Sequence, residues 1–146
     1  MAEKILIVDD EDGIRKVLAL SLSQTGYQVL TASQGAAAIQ IVRDEHPAIV
    51  LADIKMPGMD GLHLLQKIKE ESPETEVIMM TGHADLDAAV RSLQYEAADF
   101  ITKPINWLIL GYRVRYILRA SRALEEVYRA EHRKGALLLL RLERAP

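Results

Sequence analysis

Apolar residues come along this chain in two rhythms. Short runs at Ile5–Val8, Gln28–Thr31, Ile49–Ala52, Val77–Met80 and Phe100–Ile101 have strand length and predict five β-strands. Between them the spacing changes to that of helices. Ile14, Val17, Leu18, Leu20 and Leu22 form a stripe that Gly26 stops, and Ala36–Val42 forms another, closed downstream by Pro47. Leu62, Leu64, Leu65 and Ile68 predict a third helix ending before Pro73, and Leu86–Tyr95 a fourth with Asp85 as its cap. Strand and helix alternate throughout. Parallel neighbours need helical crossovers, so the pattern predicts an α/β fold with a parallel sheet covered on both faces.

The last segment breaks the rhythm. From Ile105 to Lys134 there is no proline and a single glycine, Gly111, which predicts one helix of about 25–30 residues ended by Gly135. Leu110, Val114, Ile117, Ser121, Leu124, Tyr128 and Glu131 alternate steps of four and three along it. That seam suits pairing with a second copy, weighed evenly against packing of its first half on the sheet with a solvated extension beyond. The stretch GALLLLRLERAP after Lys134 gets no element, and its four consecutive leucines suggest contact with a partner or a further segment.

Charge divides the chain in the same place. Residues 1–104 carry 9 basic and 17 acidic side chains, whereas residues 105–146 carry 9 basic and 4 acidic. An acidic body with a basic tail suggests two parts with different work. Arg113, Arg115, Arg119 and Arg122 invite a nucleic-acid reading, yet no helix-turn-helix unit accompanies them, so the expectation is a solvated helix without DNA contact. The length of 146 residues suits one domain with an appendage, and the absence of cysteine excludes disulfide and thiolate chemistry. The N-terminus enters a strand without a basic leader and no apolar run is long enough to span a bilayer. A cytoplasmic protein is expected.

In an open α/β sheet, ligands sit beyond the carboxyl ends of the strands. The first predicted strand ends in Asp9-Asp10, the third in Asp53, the fourth in Thr81-Gly82 and the fifth in Thr102-Lys103-Pro104, while the second ends in Thr31-Ala32-Ser33. One rim thus collects three carboxylates, a hydroxyl and an ammonium. Clustered carboxylates suit a hard divalent cation such as Mg2+, which favours a few carboxylates, waters and a phosphate oxygen. Lys103 can hold a phosphate, the Thr81 hydroxyl can donate to one of its oxygens, and Gly82 leaves room beside it. Asp53 is the best nucleophile candidate: it alone ends the middle strand, with metal-binding acids beside it. Glu11 and Asp12 read as helix-start residues, Asp12 as the cap. His46, His63 and His132 are too scattered to ligate a metal.

The blocks ILIVDDEDGIR, LADIKMPGMDGL, VIMMTGH and DFITKPI resemble, in order and spacing, the signature of response-regulator receiver domains of two-component signalling. The resemblance covers roughly residues 4–118. It implies a doubly wound five-stranded sheet of order 2-1-3-4-5, the order of flavodoxin-like sheets. It implies Asp53 as phospho-acceptor; Asp9, Asp10 and Asp53 with the backbone carbonyl of Lys55 as Mg2+ ligands; Thr81 and Phe100 as switch residues; and Lys103 as the phosphate-pairing lysine. It also implies a cis bond before Pro104 and places His83 where a side chain influences acyl-phosphate lifetime, although an ordinary loop histidine is the simpler account of His83.

The implied function is to accept a phosphoryl group from a phosphohistidine on a sensor kinase or phosphotransfer protein. The face of helix four, strand five and helix five then changes. On this reading residues 1–120 are the receiver and 121–146 a helical extension or linker, a homodimer contact, or a lead into an output module after residue 146. The chain would be a switch that catalyses only its own phosphorylation and dephosphorylation. Two rivals remain: an aspartyl-nucleophile phosphohydrolase, which needs an acid where Lys55 stands, and a docking or dimerisation module independent of phosphate.

Overall fold

A computed structural model describes residues 2–82 and 86–143, with backbone alone for Leu86, Tyr128 and residues 131–143. Strands β1 (Lys4–Val8), β2 (Gln28–Ala32), β3 (Ile49–Asp53), β4 (Glu76–Thr81) and β5 (Asp99–Thr102) alternate with helices α1 (Asp12–Gln24), α2 (Gly35–Glu45), α3 (Gly61–Glu71), α4 (Leu86–Gln94) and α5 (Trp107–Glu143). The strands form one parallel sheet in the order β2-β1-β3-β4-β5. This is a doubly wound parallel sheet, with the expected order.

Alternation along each strand sends side chains to two separate cores. Leu6, Val8, Val50, Ala52, Val77 and Met79 meet α2, α3 and α4 through Ile39, Val42, Leu64, Ile68 and Ala89. On the other face Ile5, Ile7, Ile49, Leu51, Ile78 and Met80 meet Leu18 and Leu22 of α1 and Leu110, Val114 and Ile117 of α5. The central strands β1 and β3 are buried on both faces, which is why they read as continuous apolar runs.

The position of β1 and β3 beside each other in mid-sheet carries the functional consequence. Register pairs Val8 with Ala52, Ala52 with Met79 and Met79 with Phe100. The strand ends therefore line up, and the residues following them share one rim.

Helix ends differ from expectation in three places. Asp12 is the first residue inside α1 and makes no cap; the N-cap is Glu11, whose N–H donates to Asp9 Oδ1 at 2.9 Å. The Asp9 carboxylate makes that local turn itself and leaves Asp12 to pair with Arg15 and Lys16, at 2.8 and 2.9 Å. Helix α5 begins at Trp107 after Asn106, whose Oδ1 accepts from the N–H groups of Leu108 and Ile109. Gly135 does not end it, since α5 runs to Glu143. A helical glycine costs only about 1 kcal/mol relative to alanine, which the Ala and Leu residues after it can offset. The Asp85 cap lies outside the described residues.

The heptad seam of α5 divides. Leu110, Val114 and Ile117 are buried against the sheet, whereas Leu124 is exposed. The first half of the seam is therefore occupied by the domain itself. Leu108, Tyr112 and Tyr116, at steps of four, face solvent instead. Two of the tail arginines engage the domain's own acids, Arg113 with Asp99 at 3.4 Å and Arg122 with Glu3. Among the described residues no helix is long and apolar enough to cross a membrane.

Candidate functional site

Three loops bring the site together. Asp9, directly after β1, is fully buried, Asp10 is exposed, and Asp53 at the end of β3 is 7% exposed. Carboxylate oxygens of all three lie within 4.8 Å of one another. Such a set of hard oxygen donors, two buried and one open to solvent, fits a divalent cation of the Mg2+ kind.

Lys103 comes from the far side of the sheet order. Its ammonium lies 3.1 Å from Asp9 Oδ2 and 3.1 Å from Asp53 Oδ2. The backbone holds it there through the Lys103 N–H, which donates to the Thr81 carbonyl at 2.7 Å. The Lys103–Pro104 peptide is cis. Burial pushes the Asp53 carboxyl above its ordinary value, the Asp9 charge adds to that, and Lys103 and the Lys55 N–H oppose it. Burial pulls Lys103 down, but hydrogen bonding and charge from Asp53 and Asp9 outweigh it, so the ammonium is held above its ordinary value. The cation offsets much of the repulsion between two carboxylates that share a nearly dry site.

The remaining predicted residues stand at different distances from this centre. Lys55 is exposed, and its N–H donates to Asp53 Oδ1 at 3.3 Å. Thr81 is buried at the end of β4, and its hydroxyl donates to the Gly82 carbonyl at 3.0 Å. Phe100, half-buried in β5, packs on the core that includes Met79. His83 lies outside the described residues. Sequence reasoning missed two supports. Arg15 donates to the Asp9 carbonyl at 2.6 Å and so braces the loop after β1; a basic residue five after the acid pair was the only signal. Arg113 donates to the Phe100 carbonyl at 2.8 Å, tying β5 to α5.

Gly61 has a steric reason to be glycine. A Cβ there would stand 2.3 Å from the Asp53 carbonyl oxygen and 2.7 Å from Ile54 Cα. Its N–H donates to the Ile54 carbonyl at 2.7 Å, and Asp60 caps α3 by accepting from His63 N–H at 2.8 Å. The start of α3 is thus pressed against the backbone that carries Asp53.

Two clefts flank the acids. One of about 490 Å3 runs between α1 and the start of α5, with Lys103 at one end and Ile14, Val17, Ile105 and Trp107 along it. The other, of about 500 Å3, lies between the segment after β3 and α4.

The sequence profile described as "Response regulator receiver domain" matches residues 5–115. The chain is 39% identical over 117 residues to the probable transcriptional regulator ycf27 of Porphyridium aerugineum, covering 80% of this chain and 48% of that protein. It spans about half the length of that relative. Among solved structures, NtrX from Brucella abortus in complex with ADP superposes with a TM-score of 0.84 at 38% identity, covering 88% of this chain and 30% of that one. A response regulator receiver domain protein from Clostridium thermocellum gives 0.81 at 31% identity, covering 84% and 98%.

Proposed function

The chain belongs to the response-regulator receiver domains of two-component systems, and from that premise we propose that Asp53 accepts a phosphoryl group from a phosphohistidine on a sensor kinase or phosphotransfer protein. The observation that carries this reading is the position of Lys103 between Asp9 and Asp53. A carboxylate held next to a fixed cation at an open rim is arranged for a phosphoryl group to arrive between them.

The chemistry follows from the residues. An Asp53 oxygen attacks phosphorus, the bond from phosphorus to the donor imidazole breaks, and its electron pair leaves with the nitrogen. Lys103 offsets the charge on the phosphoryl oxygens. Asp9, Asp10, Asp53 and the Lys55 carbonyl would hold Mg2+, which when bound supplies further charge neutralisation on those oxygens. The Thr81 hydroxyl leaves the Gly82 carbonyl and donates to a phosphoryl oxygen. Movement of Thr81 vacates space toward which Phe100 turns, and that biases α4, β5 and α5. The same site hydrolyses its acyl phosphate, so the domain acts only on itself; its setting is the cytoplasm.

Lys55, two positions after Asp53, counts against a general phosphohydrolase, which needs an acid there. The α1–α5 cleft beside Lys103 is the landing face for the histidine-bearing partner, because a donor must reach the rim from solvent and this flank is apolar. Residues 1–120 act as the receiver, and 121–146 continue α5 toward an output module or a second copy. Self-association uses side chains that α5 leaves exposed, Tyr112, Tyr116 and Val127 among them. Incubation with Mg2+ and phosphoramidate should add one phosphate, seen by intact mass, and Asp53→Asn should abolish it; an unmodified wild-type mass would overturn the assignment.

A further inference from the structure

The turn between β1 and α1 is held by a residue outside the acid cluster. Asp9 leaves the sheet with its N–H donating to the Ala32 carbonyl at 3.2 Å. Both of its carboxylate oxygens are then engaged, Oδ1 by the Glu11 N–H at 2.9 Å and Oδ2 by Lys103 at 3.1 Å. Asp10 beside it is exposed, and its carboxylate has no hydrogen-bond or ion-pair partner among the described residues. What aims Asp10 is therefore the peptide that joins it to Asp9. The carbonyl of that peptide accepts from one terminal nitrogen of Arg15 at 2.6 Å, while the other terminal nitrogen donates to Asp12 Oδ1 at 2.8 Å. The Arg15 N–H donates to the Glu11 carbonyl at 3.1 Å, so the residue is rooted in the first turn of α1 and straps the chain from Asp9 to Asp12.

Arg15 has two effects on a cation at this rim, and they differ in sign. Its positive charge repels a cation, a repulsion that Asp12 and solvent weaken. Its hydrogen bond acts the other way. Mg2+ demands near-ideal ligand placement, and sites lose affinity when the support of a ligand is removed. A guanidinium fork that takes a neutral carbonyl fixes the backbone and leaves the acid oxygens available. We propose that Arg15 is a positioning residue for divalent-cation binding. It holds the Asp9–Asp10 peptide so that the exposed Asp10 carboxylate stays directed at Asp9 and Asp53, whose oxygens lie with its own within 4.8 Å. The proposal rests on these acids being the Mg2+ site. Charge alone predicts that removing Arg15 tightens cation binding, whereas the strap predicts that removing it weakens binding.

The experiment measures the Mg2+ dissociation constant of the unphosphorylated full chain by isothermal titration calorimetry. Arg15→Ala is expected to raise it about tenfold, the lower end of what losing a group that orients a metal ligand costs. Arg15→Lys keeps the charge and a donor but has no fork to span both partners, so it should raise the constant about threefold. It is the deciding variant if Arg15→Ala does not fold. In phosphoramidate labelling of Asp53, the Mg2+ concentration for half-maximal rate should rise by the same factors, with a smaller fall in the rate at saturating Mg2+. A general loss of packing would lower the saturated rate as well. An unchanged or lower dissociation constant in Arg15→Ala, or an unchanged one in Arg15→Lys, overturns the role of Arg15 and leaves the acceptor reading standing. Absence of Mg2+ binding by the wild-type chain overturns the proposal together with the Mg2+ site on which it rests.

Discussion

The ammonium of Lys103 lies 3.1 Å from an oxygen of Asp53, although the two residues are 50 positions apart in the chain. It stands equally close to Asp9, which is fully buried. Two carboxylates in a nearly dry site tolerate one another because this cation lies between them, and its removal exposes the cost.

Lys103→Met is therefore expected to destabilise the metal-free protein by about 1–3 kcal/mol, the usual penalty for leaving a buried polar or charged group without its partner. Urea denaturation with and without Mg2+ checks this. The loss should shrink when Mg2+ is added, since a divalent cation among Asp9, Asp10 and Asp53 relieves the same repulsion.

Asp53→Asn should do the opposite. Burial raises the Asp53 carboxyl above its ordinary value, so the folded protein prefers it protonated. The stabilisation attached to the protonated form is fully present below the unfolded-state value and is lost as pH rises through the raised folded-state value. At neutral pH the metal-free Asp53→Asn variant is expected to be more stable than wild type by on the order of 1 kcal/mol. The gain should shrink as pH is lowered through the folded-state value, where wild-type Asp53 becomes neutral. Melting curves in chelator across that range decide it.

The same shift sets a pH dependence for labelling. The nucleophile must be ionised, so the phosphoramidate rate should fall on acidification at a pH above the ordinary aspartate value of 3.8. A profile that declines only at or below that value would contradict the burial effect on Asp53.

Gly61→Ala tests the close approach of α3 to the strand that carries Asp53. The new Cβ would meet the Asp53 carbonyl oxygen at 2.3 Å, which is backbone and has little room to yield. A loss of about 2 kcal/mol or more is expected in urea denaturation, of the size that overpacking produces. Gly13→Ala is the matched control, since nothing lies within 4 Å of its Cβ position.

Donor choice tests the landing face. Val17→Glu places a charge in the apolar α1–α5 cleft, where Val17 is 51% exposed. Transfer from a phosphorylated histidine partner should fall at least about tenfold relative to phosphoramidate labelling, because a charge desolvated at an apolar contact costs more than 1 kcal/mol. Equal slowing of both donors would place the landing face elsewhere.

Much of this molecule was legible in order along the chain. Short apolar runs between helical stripes are local signals, and they predicted the strands and helices with ends off by a few residues. Residue types at the strand ends pointed to Asp9, Asp10, Asp53 and Lys103, which the structure brings together, because a parallel sheet delivers its carboxyl ends to one rim whatever the side chains between them. Asp12 and Gly135 show where local reading fails. Capping at Asp12 lost to the turn that Asp9 makes, and the glycine stop lost to the helix formers beyond it.

What only the tertiary structure decided were contacts between segments distant in sequence. Periodicity places an apolar stripe on α5 but does not say what covers it; the sheet claims Leu110, Val114 and Ile117 and leaves Tyr112 and Tyr116 outside. A turn-like GMDG says nothing of how near Gly61 comes to the Asp53 carbonyl. Secondary structure depends on neighbours a few residues apart and can be read from them. The bridge from Lys103 to Asp9 and Asp53 depends on the strand order, with β1 and β3 side by side in mid-sheet and β5 at the edge, and it exists only once the chain has packed.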